Sequence, residues 1–170
     1  PMPTAAFLSD TVCAGTPTTL TDASAIAPGT IAQWDWDIGA DGSIEYTAQG
    51  PQTHTFAAGG TYSVELTATS ALGCSNSVVD DVIVNYIPAP DFTSDSVCIG
   101  NPTTFIDNSV ITVGNITDYA WDFGGGNTAN GTPTSFTFVT AGNNNVTLTV
   151  TSDGGCTAST TLPAYVRQLP

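Results

Sequence analysis

The chain has 170 residues, with 15 acidic side chains, one basic side chain (Arg167), no lysine and a single histidine, His54, giving a formal charge of -14. Such acidity repels nucleic acid and anionic membrane, and it leaves cations as the natural small partners, although plain solubility is the more ordinary use of surface carboxylates. No apolar run reaches the roughly 18 residues of a membrane span, so membrane insertion is not expected.

In chain order, the first half predicts strands at 5–9, 17–22, 31–37, 52–56, 61–69 and 76–86. The second half predicts them at 90–94, 102–107, 116–123, 134–139, 145–151 and 158–166. Threonine fills 29 positions and, with Val, Ile and the aromatics, favours extended backbone between Gly, Pro, Asn and Ser clusters. Alternation is clearest in 61–69, where Tyr62, Val64, Leu66 and Ala68 should face inward, and in 145–151, where Val146, Leu148 and Val150 should. Trp36 and Trp121 are expected in cores, sharing a face with the aromatic residues at 34 and 119. Asp41-Gly42 reads as a tight turn, and Gly124-Gly125-Gly126-Asn127 as a looser one. Short strands at this spacing predict an all-β protein made of antiparallel-rich β-sandwiches.

The two halves are copies. Phe7–Gly39 aligns with Phe92–Gly124 at a spacing of 85, with 17 of 33 positions identical, and the spacing then slips to 82, pairing Phe56 with Phe138 and Cys74 with Cys156. Units of this size are whole domains, not solenoid turns. Pro88-Ala89-Pro90 reads as a short, stiff boundary, giving domains at 1–87 and 88–170 joined semi-rigidly. Pro3 and Pro170 fall at the same phase as Pro88, which suggests an excerpt from a longer array.

Each copy carries two cysteines, Cys13 and Cys74, then Cys98 and Cys156. Four cysteines permit three pairings, and only 13–74 with 98–156 keeps each copy self-contained. That pairing is the expectation here, and a bond closing a loop of about 60 residues would contribute roughly 4 kcal/mol if unstrained. The rival use of the thiols, zinc ligation, lacks both C-x2-C spacing and a second histidine. Paired cysteines place the chain outside the reducing cytoplasm, at a cell surface or secreted.

Catalysis is not expected. His54 is the only imidazole and aligns with Phe136 in the other copy, so no triad can be built twice. Asp35 and Asp37 share one side of a strand, but Asp35 aligns with Ala120, which argues against a working carboxylate pair. No cofactor is required. A structural calcium ion in each unit is the one candidate, held by the carboxylates present in both copies: Asp10, Asp22, Asp37, Asp95, Asp107 and Asp122, helped by Asn108 and Asn127. Turn capping is the competing job for these side chains. An exposed aromatic trio, with Tyr46, Tyr119 and Tyr165 as the residues to inspect, would instead mark a sugar-stacking surface.

The motifs Trp36-Asp37-Ile38-Gly39, Pro51-Gln52-Thr53-His54-Thr55-Phe56 and Gly60-Thr61-Tyr62-Ser63-Val64-Glu65-Leu66-Thr67 resemble the PKD (polycystic kidney disease) domain family. So do Trp121-Asp122-Phe123-Gly124, Pro133-Thr134-Ser135-Phe136-Thr137-Phe138 and Gly142-Asn143-Asn144-Asn145-Val146-Thr147-Leu148. Two departures stand out: Gly125-Gly126 replaces an Asp-Gly turn, and Asn144 stands where Tyr is usual, which loosens the second unit. With its added cysteines the chain resembles PKD repeats of surface and secreted proteins of Bacteroidota, including gliding adhesins exported by the type IX system. The resemblance implies an immunoglobulin-like fold, an exterior location, and a spacer or adhesive role with neighbouring repeats and surface glycans or proteins as partners. It brings no catalytic residues. Asp10-Thr11-Val12 and Asp95-Ser96-Val97 resemble the O-glycosylation signal of those bacteria, and Asn115-Ile116-Thr117 and Asn145-Val146-Thr147 match the N-linked acceptor. The resulting expectation is a non-catalytic spacer segment of a large cell-surface adhesin. The alternative is a glycan- or protein-binding accessory module of a secreted hydrolase.

Overall fold

A computed structural model describes residues 1–132 and 134–170; Pro133, which opens the second Pro-Thr element, lies outside the described residues. The chain divides into two units, Pro1–Asn85 and Tyr86–Pro170. Unit 1 contains β1 (Phe7–Ser9), β2 (Val12–Cys13), β3 (Pro17–Asp22), β4 (Ile31–Ile38), β5 (Gln52–Thr55), β6 (Gly60–Ser70) and β7 (Ser75–Asn85). Unit 2 contains β8 (Phe92–Ser94), β9 (Pro102–Asp107), β10 (Ile116–Asp122), β11 (Thr128–Asn130), β12 (Thr134–Thr137), β13 (Gly142–Ser152) and β14 (Thr157–Val166).

Each unit is a two-sheet sandwich. Unit 1 sets a sheet of order β1-β3-β5 against one of order β2-β7-β6-β4, and unit 2 sets β8-β9-β12 against β11-β10-β13-β14. The alternation explains the layering. Val64, Leu66 and Ala68 on β6, and Val146, Leu148 and Val150 on β13, are fully buried, while the intervening threonines stay partly wet. The core of unit 1 gathers Phe7 and Leu20 from one sheet with Trp36, Leu66, Val82 and Val84 from the other. In unit 2, Phe92 and Phe105 meet Trp121, Leu148 and Val166. Trp36 and Trp121 are each closed off from solvent, and burying a side chain of that size contributes on the order of 3 kcal/mol. Their indole N–H groups donate to Ala48 O (3.0 Å) and Gly131 O (3.0 Å), so neither is buried unsatisfied.

Two short strands have no counterpart in the sequence reading. In β2, residues Val12 and Cys13 pair in parallel with Val84 and Asn85 of β7, and Cys98 makes the matching parallel bridge to Arg167. Strand β11 pairs with β10, and the Gly124–Asn127 turn lies in the loop that joins them as a hairpin. Pro88 is buried and Ala89 pairs with Val110, as Thr4 pairs with Ala25 behind the buried Pro3.

Candidate functional site

The cysteines occupy equivalent places in the two units, and those places lie at opposite poles of each sandwich. Cys13 sits beside Asn85, the last residue of β7, whereas Cys74 immediately precedes Ser75, the first. In unit 2, Cys98 sits beside Arg167, just past the end of β14, and Cys156 immediately precedes Thr157, where β14 begins. A strand of ten or eleven residues is roughly 35 Å long, while a disulfide needs Cα atoms within about 7 Å. The expected pairings 13–74 and 98–156 therefore do not form. Cys74 is an exposed free thiol and Cys98 a partly exposed one, while Cys13 and Cys156 each stand in a disulfide. The repeat told which cysteines were equivalent but not which end of a strand each would reach.

The backbone turns at both poles are alike in the two units, although Cys74 is exposed and Cys156 buried. At the turn before β7, Ser70 N donates to Cys74 O (2.8 Å), Cys74 N donates to Ser70 Oγ (3.0 Å), and Gly73 takes a positive φ of 82°. Ser152, Cys156 and Gly155 repeat this arrangement before β14. Both serines are buried, so the anchor of the turn is rigid. At the other pole, Cys13 O accepts from Thr16 N and Cys98 O from Asn101 N, both at 3.1 Å.

The six carboxylates present in both copies are all committed to neighbouring N–H or O–H groups. Asp10 accepts from Thr19 N (2.7 Å) and Asp95 from Thr104 N (2.8 Å), pinning the start of each sandwich to its β3 or β9 strand. Asp22 and Asp107 cap turns through Ser24 N (2.9 Å) and Ser109 N (3.0 Å). Asp22 also receives the Trp34 indole N–H at 2.9 Å, and Asp107 receives the Tyr119 hydroxyl. Burial first, then the charge of Asp107, raises the Tyr119 hydroxyl above its ordinary pKa. Asp37 is buried and accepts from Asp41 N (3.0 Å) and Gly42 N (2.6 Å), which closes the Asp-Gly turn. Asp122 is exposed and accepts from Gly124 N (2.8 Å). Hydrogen bonds of the Asp41 carboxyl with Ser43 lower the pKa of that exposed acid. These acids are distributed along each unit. Among the described residues, no group of three or more His, Cys, Asp or Glu side chains converges on a common point. Asn108 reaches Thr93 (3.4 Å) and Asn127 closes on Gly124 O (2.8 Å), so neither joins an acid.

The remaining candidates are framework residues as well. His54 Nδ1 lies 3.1 Å from the Tyr46 hydroxyl, with its ring edge-on to Phe56 at 4.6 Å. The carboxylate of Asp35 is taken up by Gln33 Nε2 at 2.9 and 2.8 Å. Tyr119 and Tyr165 do not share a patch: their partners on β13 are Val150 and Asn143, seven residues apart along that strand, or roughly 24 Å.

One concavity does arise where the copies differ. In unit 1, Tyr62 stacks on Phe56 with ring centres 4.1 Å apart. Asn144 takes that position in unit 2 and turns instead to Thr140 and Gly142 O. This opens a cleft of about 540 Å³ floored by Phe123, Phe136 and Phe138, in which Phe123 and Phe136 stack in parallel at 4.6 Å. The signal for it was the asparagine at a tyrosine position.

Two immunoglobulin-like sandwiches, each with a buried Trp followed by a turn-capping Asp on β4 or β10, define the class. The chain belongs to the PKD domain family, whose model matches residues 1–84 and again 85–167. It is similar to the PKD1 domain of Vibrio anguillarum Epp, at 32% identity over 51% of this chain and 99% of that one, with a TM-score of 0.45. The PKD1 domain of the Vibrio cholerae metalloprotease PrtV is 31% identical over 47% of this chain and 96% of that one, at a TM-score of 0.42. Fibronectin(III)-like modules of Clostridium thermocellum CbhA align at 15% identity over 98% of this chain and 95% of that one, at a TM-score of 0.44. Among curated proteins no sequence matches it. No helix among the described residues is long and apolar enough to cross a membrane.

Proposed function

We propose that the chain is a non-catalytic extracellular spacer, a pair of load-bearing units in a large cell-surface adhesin of the kind found in gliding Bacteroidota. The observation that carries this reading is the commitment of polar side chains to the framework. Every carboxylate shared by the two copies holds a turn or a strand start, and the lone histidine packs between aromatic rings. A module whose shared carboxylates are spent on its own turns and strand starts is suited to holding distance, and its cysteine chemistry suits an oxidising exterior.

Stretching single molecules under reducing conditions tests this directly. Two separate unfolding steps are expected, each releasing roughly 280 Å of chain for about 85 residues. Extension without resolved steps would overturn the load-bearing role. The cleft of unit 2 supports one second reading, a glycan- or protein-binding accessory module, because flat paired rings favour stacking on sugars. Saturable retention on a glycan array that disappears in Phe136→Ala would establish that reading, and retention unaffected by the substitution would remove the cleft from it.

A further inference from the structure

Unit 1 shows what the cleft of unit 2 is shaped to hold. The repeat pairs Phe56 with Phe138, Ala58 with Thr140, Gly60 with Gly142 and Tyr62 with Asn144. In unit 1 the Tyr62 ring lies nearly flat on Phe56, at 4.1 Å and 24°, and its hydroxyl donates to Ala58 O at 2.9 Å. The same ring covers Gly60, where an added Cβ would stand 3.5 Å from Tyr62 Cε2. Unit 2 keeps the seat but not the ring. Phe138 is buried like Phe56, and an added Cβ on Gly142 would meet nothing within 4 Å. The Asn144 side chain folds back, giving Thr140 O one hydrogen bond from Nδ2 at 3.2 Å, and a carbonyl oxygen has a second lone pair for another donor.

The walls narrow the chemistry. Phe136 meets Phe138 at 77° with ring centres 4.9 Å apart, and Phe123 stacks on Phe136 at 2°. A ring lying flat on Phe138 therefore meets Phe136 at a steep angle, an arrangement that aromatic pairs favour. A planar ring with an apolar edge suits that corner, whereas a pyranose would press hydroxyls from its edge against Phe136 and leave them unpaired. The rim supplies Asn127, Thr137 and Thr140, whose amide and hydroxyl groups can pair with the peptide groups beside a side chain. None of the described lining residues is charged, while the whole chain carries -14. An acidic segment or an anionic ring is repelled by that field, and a basic segment is drawn in. With one arginine and no lysine, a second copy of this chain is a poor source of such a segment.

We propose that the unit 2 cleft binds a tyrosine side chain displayed on a basic partner polypeptide. The ring lies on Phe138 as Tyr62 lies on Phe56, the hydroxyl donates to Thr140 O as Tyr62 donates to Ala58 O, and flanking lysines or arginines answer the charge of the chain. This choice of ligand rests on the second reading given above, in which the cleft binds a partner, whereas the spacer reading is decided by stretching with no ligand present.

The test is an NMR titration of the two-unit chain with the acetylated and amidated tripeptide lysine-tyrosine-lysine. Amide signals of the residues lining the cleft should shift saturably, with a Kd on the order of 1 mM, and those around Tyr62 should not. Exchanging the tyrosine of the probe for phenylalanine should weaken binding by about threefold, and exchanging its lysines for glutamates by more than about threefold at low salt. Asn144→Tyr, which fills the cleft from within, should weaken binding by more than about tenfold, while a melting temperature unchanged or raised shows unit 2 still folded. Undiminished binding to Asn144→Tyr, or shifts centred on unit 1, would overturn the proposal. So would equal affinity for either exchanged peptide, or tighter binding of free p-cresol than of the tripeptide, which would make the ligand a small phenol. Saturable shifts from methyl glucoside where the tripeptide gives none would also overturn it, and would leave the cleft to sugars.

Discussion

Unit 1 and unit 2 use the same Trp-Asp step to different ends. In unit 1, Asp37 is buried beneath the turn that it caps, and Glu45 Oε2 accepts from Ile38 N (2.7 Å) across the hairpin. Unit 2 has three fewer residues in this region, and there Asp122 lies exposed while Phe123 turns into the core and Asn127 closes the shortened turn. Aromatic packing shifts with it. Unit 1 stacks Tyr62 on Phe56, while unit 2 stacks Phe123 on Phe136 and leaves the tyrosine position to Asn144. One loop change thus moves polar capping from the interior to the surface and hands its volume to an aromatic ring.

The largest expected effect breaks this asymmetry at its source. Asp37→Ala strands two backbone N–H groups and should cost unit 1 about 3 kcal/mol, whereas Asp122→Ala, losing one exposed cap, should cost unit 2 about 1 kcal/mol. Denaturant titration of each variant reads the difference, and equal losses would mean that burial of Asp37 contributes nothing. A smaller effect restores the missing ring. Asn144→Tyr should fill the unit 2 cleft and stack on Phe138, raising stability by about 1 kcal/mol, as calorimetry would show. The smallest concerns pH. Burial and the neighbouring Asp107 charge hold the Tyr119 hydroxyl above the ordinary tyrosine pKa of about 10, so its contribution is complete below that pH and fades as pH climbs through the elevated folded value. The matching donor in unit 1 is the Trp34 indole, which does not titrate in this range. Melting of unit 2 should therefore soften above pH 10 while unit 1 holds, and Tyr119→Phe should abolish the difference between the two slopes.

Much of the fold was legible because burial in a sheet leaves a period of two, and β6 and β13 keep that period over eleven residues each. Strands β2 and β11, two and three residues long, are too short to carry a period and exist only through their partners. The core tryptophans were readable from composition and phase. The cleft was half readable: Asn144 marked where a ring was missing, but not that Phe123 and Phe136 would stack beneath the gap. The cysteine pairing was misread for a topological reason. Sequence separation says nothing about which end of a sandwich a turn occupies, and β7 and β14 keep Cys13 from Cys74 and Cys98 from Cys156 by their own length.

The carboxylates that cap turns through peptide N–H groups carry a last consequence, for ionic strength. Proteins stapled by ion pairs lose those staples to screening as salt rises. Here one arginine faces 15 acids, so most of them can find no guanidinium, and the staples are dipoles of the backbone at hydrogen-bond distance. Such short contacts lie well inside the roughly 8 Å screening length at 0.15 M salt, while mutual repulsion among the acids extends beyond it. Added salt therefore relieves what opposes folding and spares what supports it, so that brine firms this molecule.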